Sequence, residues 1–252
     1  MTEQSVPLLV FDFDGVLVDG MAEYWWSARR AAMALVPDLS LPEQAPAGFA
    51  KLRPQIHKGW EMVLMAAELG RPDLELAALV ASYQAQLEQA LLRWGLSPDQ
   101  LQGALERVRS EAIGKDLPGW LRLHHFYPGV LERLQQLACA GSPWAVLTTK
   151  GGEFARQILQ AAGLEPWALF GHEQGSKCEV LAQLLASEYR PIWFVEDRRP
   201  TLELVRSQAE LAAVRCFLVS WGYLAPGDHQ QLPDGIHWLE PEIFAAPLAQ
   251  WP

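Results

Sequence analysis

Leu8-Leu9-Val10-Phe11-Asp12-Phe13-Asp14-Gly15-Val16-Leu17-Val18-Asp19-Gly20 is the stretch that decides the fold. Its four leading apolar residues read as a strand covered on both faces. Two carboxylates two positions apart follow, and in extended chain residues i and i+2 point to one side. In open parallel sheets, ligands bind beyond the carboxyl ends of strands, above all at a topological switch. Two like charges there are costly unless a cation, a shared proton or hydrogen-bond donors compensate them. A lone Asp-Gly would read as a turn capping a strand; Asp-x-Asp-Gly after a buried first strand reads as a charged site.

Similar apolar runs recur late, at 144–147, 192–195 and 214–220, the last interrupted by Arg215. Helical patterns at 130–140, 153–162, 178–187 and 202–213 lie between or after them. Strands alternating with helices of this length predict right-handed βαβ units and a parallel sheet, an α/β fold. Residues 20–124 read differently. Segments rich in Ala, Leu, Glu and Gln at 22–35, 59–69, 74–94 and 98–114 are separated by breakers at 37–38, 42–48, 70–72, Gly95 and 114–118. No buried strand is evident there, so the stretch reads as a helical insertion. The predicted domains are 1–19 with 125–252, and 20–124.

The chain has 252 residues, half of them hydrophobic and a fifth charged, which excludes a disordered polypeptide. With 20 Lys and Arg against 30 Asp and Glu, its net charge is −10, so nucleic acid and acidic membranes are not expected partners. Residues 20–124 hold 11 basic and 12 acidic groups and the remainder 9 and 18, so the acidic excess belongs to the α/β part and suits a cation site. No apolar run is long enough to span a bilayer. Met1 to Pro7 do not read as a signal peptide. Cys139, Cys178 and Cys216 show no CxxC spacing and are expected to be buried, reduced thiols, consistent with a cytoplasmic protein. The eleven tryptophans are expected mainly in packing.

Asp12 to Asp19 resembles the first motif of the haloacid dehalogenase (HAD) superfamily, in its phosphatase branch. The segment 126–134, Phe-Tyr-Pro-Gly-Val-Leu-Glu-Arg-Leu, resembles the return from a C1-type helical cap in phosphoglycolate phosphatase-like and β-phosphoglucomutase-like members. Val146-Leu147-Thr148-Thr149-Lys150, Gly175-Ser176-Lys177 and Phe194-Val195-Glu196-Asp197-Arg198 resemble the second, third and fourth motifs, in the right order. The resemblance implies a Rossmann-like parallel sheet with an inserted C1 cap, and a Mg²⁺-dependent phosphomonoester hydrolase acting through an aspartyl-phosphate. Asp12 would be the nucleophile and Asp14 the general acid and base. Thr148, with Thr149 able to exchange roles with it, and Lys177 would bind phosphate. Asp12, Asp197 and the carbonyl of Asp14 would hold the metal, aided by Glu196. Lys150 is expected to be solvated.

The fourth motif departs from the family's usual Gly-Asp and later acid, since Glu196 takes the glycine position and Thr201 the later acidic one. Either Glu196 and Asp197 act as adjacent acids at the metal, or Glu196 turns aside to Arg198 or Arg199. Asp14 argues against a dehalogenase, and its identity also excludes the pump ATPases. A phosphotransferase or mutase on the same core, and a non-catalytic binding protein, remain alternatives. In the insertion, the segment 53–61 places Arg53, His57 and Lys58 beside Trp60, and Arg53 and Lys58 are candidate contacts for a substrate anion. His124 and His125 read as structural, and the other histidines have no zinc pattern. The expected partner is a small phosphorylated metabolite. The oligomeric state is left open by the sequence, which is compatible with a monomer.

Overall fold

The computed structural model describes residues 6–188 and 190–252, and of the Met1–Pro7 stretch residues 1–5 lie outside the described residues. The chain divides into two compact units, 1–19 with 125–252, and 20–124. Strand β1 (Leu8–Phe11) opens the first unit, and a short strand β2 (Val18–Asp19) leads out of it. The second unit holds α1 (Met21–Leu35), α2 (Ala47–Leu52), α3 (Gly59–Leu69), α4 (Leu76–Ala81), α5 (Tyr83–Trp94) and α6 (Pro98–Leu121). The chain re-enters the first unit through β3 (His125–Phe126), antiparallel to β2. It continues through α7 (Val130–Cys139), β4 (Trp144–Leu147), α8 (Gly152–Ala161), β5 (Ala168–Phe170), α9 (Lys177–Ser187), β6 (Ile192–Glu196), α10 (Arg199–Ser207), β7 (Arg215–Val219), β8 (Ile236–Leu239) and α11 (Pro241–Ala245). Among the described residues no helix is long and apolar enough to cross a membrane.

The main sheet has the order β5-β4-β1-β6-β7-β8, and every pairing in it is parallel. The chain first builds outward from β1 through β4 to β5, then returns to β6 on the other side of β1. The switch point therefore lies between the carboxyl ends of β4, β1 and β6, where this architecture opens a crevice. Alternate residues pack on opposite faces. Leu8, Val10, Ala145, Leu147, Phe194, Cys216 and Leu218 join Val180, Leu181 and Leu184 of α9 in one apolar layer. On the other face an aromatic layer links Phe11 to Trp144 and Phe244, and Phe217 to Trp193 and Trp251. Arg215, the one charge in its strand, lies with its guanidinium carbon 4.9 Å from the Trp193 ring centre, so it joins that layer as a cation over an aromatic face.

In the helical unit, buried charges are ion-paired or hydrogen-bonded. Arg109 donates to both carboxylate oxygens of Glu23, at 2.8 and 2.7 Å, and tethers α6 to α1. Glu61 accepts from the backbone N–H groups of His57 and Lys58 and from the Tyr83 hydroxyl. Two predicted helices differ from what is found. The segment 74–94 is interrupted at Ser82 (φ −130°, ψ 41°), where the chain turns Tyr83 inward to Glu61. The helix predicted to end at 114 continues to Leu121 through a break at Asp116 (φ −153°, ψ 73°). The Asp116 carboxylate accepts the Gly119 N–H and, with Pro118 in the new first turn, restarts the helix. Cys178 and Cys216 are buried free thiols as expected, but Cys139 is exposed because it ends α7 on the solvent side.

Candidate active site

Asp12 follows β1 directly and keeps its place in the ladder by donating its N–H to the Val195 carbonyl at 2.8 Å. Glu196 ends the neighbouring strand β6, with Asp197 immediately after it. Lys177 is the first residue of α9, where Ser176 and Glu179 cap each other's backbone N–H groups. A cation at a helix amino terminus is unfavourable against the dipole and needs local negative charge. It finds two carboxylates: Lys177 Nζ lies 2.7 Å from Asp12 Oδ1 and 2.6 Å from Glu196 Oε2. The other Glu196 oxygen accepts the N–H groups of Asp197 and Arg198.

The electrostatics are those of a buried site with excess negative charge. Burial first, and then repulsion from Glu196, push Asp12 up to about 7. Burial likewise raises Glu196, against the opposing pull of Lys177. Burial works against charging Lys177, but Asp12 and Glu196 together outweigh it and hold the ammonium above the ordinary lysine range. One oxygen each of Asp12, Glu196 and Asp197 lies within 4.8 Å of the others. Three buried carboxylates against one ammonium, presenting oxygen donors only, fit a hard divalent cation.

Asp14 is buried near this group, and its Oδ1 has no hydrogen-bond partner among the described residues. The nearest cation to that oxygen is one the sequence reading had set in solvent. Lys150 is buried, and its Nζ lies 3.4 Å from Asp14 Oδ1. The correction has a simple cause. Lys150 stands two positions beyond Thr148 in a turn at the end of β4, where its N–H donates to Thr148 Oγ1. Thr148 is buried at the strand end and Thr149 is half-buried. The alternative pairing of Glu196 with Arg198 or Arg199 is not what is found. Arg199 binds Glu203 at 2.7 Å, the Arg198 guanidinium donates to Thr201 Oγ1, and Glu196 takes Lys177 instead. Arg53 and Lys58 belong to the helical unit. Arg53 stacks 4.8 Å from the Tyr24 ring and donates to the Ile56 carbonyl, whereas Lys58 is exposed.

One contributor was missed altogether. The loop after β7 brings the Tyr223 N–H to Asp197 Oδ2 at 2.8 Å, fixing that carboxylate. Gly15, at φ +96°, closes the turn after Asp14, and a Cβ there would overlap the Asp197 carboxylate. A glycine between Trp221 and Tyr223 was the available signal for such a close backbone approach.

Acidic strand ends gathered at the switch of a parallel sheet, with a lysine from the helix before β6 between them, define a hydrolase of a known kind. The chain belongs to the haloacid dehalogenase-like hydrolases, whose family model matches residues 6–199. It is 28% identical over 232 residues to a phosphoglycolate phosphatase of Synechococcus elongatus, covering 89% of this chain and 87% of that protein. It is 26% identical over 166 residues to a phosphoglycolate phosphatase of Vibrio parahaemolyticus, covering 65% and 59% of the two. The crystal structure of a predicted phosphoglycolate phosphatase from Haemophilus somnus superposes with a TM-score of 0.61 at 20% identity, over 94% of this chain and 95% of that one. The two sequences speak for kinship and the crystal structure for the α/β fold.

Proposed function

We propose that this hydrolase is a Mg²⁺-dependent phosphatase that cleaves a small phosphomonoester through an aspartyl-phosphate on Asp12. The observation that carries the reading is the Lys177 ammonium held between Asp12 and Glu196, with Asp197 in reach of both. A carboxylate attacks a phosphate dianion only where positive charge surrounds both, because phosphoryl transfer is mainly positioning and neutralisation. A bound Mg²⁺ would supply part of that charge, and Asp12, Asp197 and the Asp14 carbonyl would hold it, aided by Glu196.

In the first step an Asp12 oxygen bonds to phosphorus while the ester P–O bond breaks, and Asp14 gives its proton to the departing alkoxide. In the second step Asp14 takes a proton from water, whose oxygen bonds to phosphorus as the Asp12–phosphorus bond breaks. Phosphate leaves, and both aspartates regain their starting states. Lys177 neutralises nucleophile and phosphoryl oxygens, and Thr148 donates its hydroxyl to those oxygens, with Thr149 as the alternative donor. Residues 20–124 would act as a cap, with Arg53 and Lys58 contacting a substrate anion. The names of the relatives support a small phosphorylated acid such as phosphoglycolate. Free cysteines, two of them buried, support a site of action in the cytosol.

The test is phosphate release from an aryl phosphate and from a panel of small phosphomonoesters, phosphoglycolate included, with Mg²⁺ and with a chelator. Hydrolysis should need the metal and vanish in Asp12→Asn. Activity that survives Asp12→Asn would refute the mechanism, and a substrate rearranged without phosphate release would favour the mutase.

A further inference from the structure

We propose that Tyr223 is a positioning residue that ties the metal-side carboxylate Asp197 to the two strands through which the chain leaves and re-enters the α/β unit. The inference rests on Asp197 being a metal ligand, as in the function proposed above. Tyr223 makes two hydrogen bonds in opposite directions. Its N–H donates to Asp197 Oδ2 at 2.8 Å, and its phenol donates to Asp19 Oδ1 at 2.8 Å. Asp19 is the last residue of β2 and pairs with His125 of β3, so one residue, by its backbone and its phenol, spans from the site to the crossing strands.

The residues around Tyr223 close the same connection from the other side. Trp221 Nε1 donates to the Val16 carbonyl at 3.0 Å, inside the turn that carries the chain from Asp14 to β2. A Cβ on Gly222 would overlap both Asp197 and the Gly15 carbonyl, so backbone meets backbone there. Gly15 donates its N–H to the Val18 carbonyl, which makes the turn and the start of β2 one hydrogen-bonded piece. Trp221, Gly222 and Tyr223 therefore touch the acid after β6, the turn after β1 and the end of β2 at once. A displacement of Asp197 is passed to Asp19 through the backbone and phenol of one residue. Because coupling between two sites is reciprocal, ordering the crossing strands must favour metal binding as much as the metal favours their order.

The experiment compares the full chain with Tyr223→Phe, Asp19→Ala and Asp19→Asn. Mg²⁺ affinity is read by calorimetry, and amide hydrogen exchange is read over residues 15–19 and 125–126, with and without Mg²⁺. Wild type should show slower exchange in these segments when Mg²⁺ is added. Tyr223→Phe keeps the N–H to Asp197 and is expected to bind Mg²⁺ three- to tenfold more weakly at an unchanged melting temperature. Its exchange over those segments should no longer respond to the ion. Asp19→Ala should match it, the two changes together should be no worse than either, and Asp19→Asn, which retains an acceptor oxygen, should restore the response. Wild-type affinity and protection in Tyr223→Phe would overturn the proposal. Absence of Mg²⁺ binding in wild type would instead overturn the metal reading on which it stands.

Discussion

Raising the pH from about 5 to about 8 without a divalent ion is expected to destabilise this protein, and Mg²⁺ is expected to reverse the loss. Burial, and then Glu196, push Asp12 up to about 7, against about 3.9 for an unfolded aspartate. A folded value above the unfolded one means that the native chain binds this proton more tightly. The resulting stabilisation is complete below the unfolded value and is lost as the pH climbs through the folded one. At pH 5 the unfolded aspartate is already ionised, so the window from about 5 to about 8 holds about two of the roughly three pH units, at about 1.36 kcal/mol each, or on the order of 3 kcal/mol. Glu196, also raised by burial, acts in the same direction. The elevated value of Lys177 stabilises at every pH below the ordinary lysine range, so it adds no slope in this window. On the proposed function Mg²⁺ would bind the ionised carboxylates, and it should stabilise far more at pH 8 than at pH 5. Urea unfolding followed by tryptophan fluorescence, in chelator and in excess Mg²⁺, measures both effects. Glu196→Gln removes the second cause of the Asp12 shift and should flatten the metal-free slope. Metal-free stability that is level or rising from pH 5 to 8 would refute the reasoning.

Other changes reach different parts of the molecule. Lys177→Met leaves Asp12 and Glu196 buried without their shared cation, and should cost about 3–5 kcal/mol in metal-free unfolding along with all turnover. Lys150→Met removes the cation 3.4 Å from Asp14, which favours the ionised form that takes the proton from water, and should slow breakdown of the aspartyl-phosphate about tenfold for alkyl and aryl phosphates alike. Gly15→Ala forces a Cβ onto the Asp197 carboxylate at a positive φ, and should lower stability by more than about 1 kcal/mol and abolish Mg²⁺ binding in calorimetry. Arg109→Met strands Glu23 inside the helical unit, and should cost about 3–5 kcal/mol in unfolding while leaving the leaving-group preference of the folded enzyme unchanged.

The central strands were legible because they are buried on both faces and so carry unbroken apolar runs. Strands β1, β4, β6 and β7 fall within a residue or so of their runs. The edge strands β5 and β8 were not read. Ala168–Phe170 is only three residues long and half-buried, and His237 breaks the apolar run of Ile236–Leu239. The helical insertion was legible as composition, but its breaks were less so. Ser82 and Asp116 leave the helical region for tertiary and capping reasons, Tyr83 reaching Glu61 and Asp116 starting a new turn, and neither is a property of helix propensity. Helix α2 was hidden among the breakers at 42–48, although Phe49 and Leu52 give it a buried face.

The residues of the site were legible in proportion to how far local physics constrained them. Lys177 stood against a helix dipole, so the sequence alone demanded a nearby carboxylate, and Asp12 and Glu196 supply two. Lys150 carried no such contradiction. A lysine in a polar turn is ordinary, and only the packing of β4 beside β1 puts it next to Asp14. Tyr223 was harder still, since its two partners lie 26 and 204 positions away and its bond to Asp197 uses the backbone, which any residue type could make. The same reasoning separates the roles of Glu196. As a glycine replacement it adds a carboxylate to the group with Asp12 and Asp197, and both of its oxygens also accept hydrogen bonds, one from Lys177 and one from two backbone N–H groups. Its charge acts on the lysine it holds and the aspartate it raises, which is why Glu196→Gln should move the pH slope.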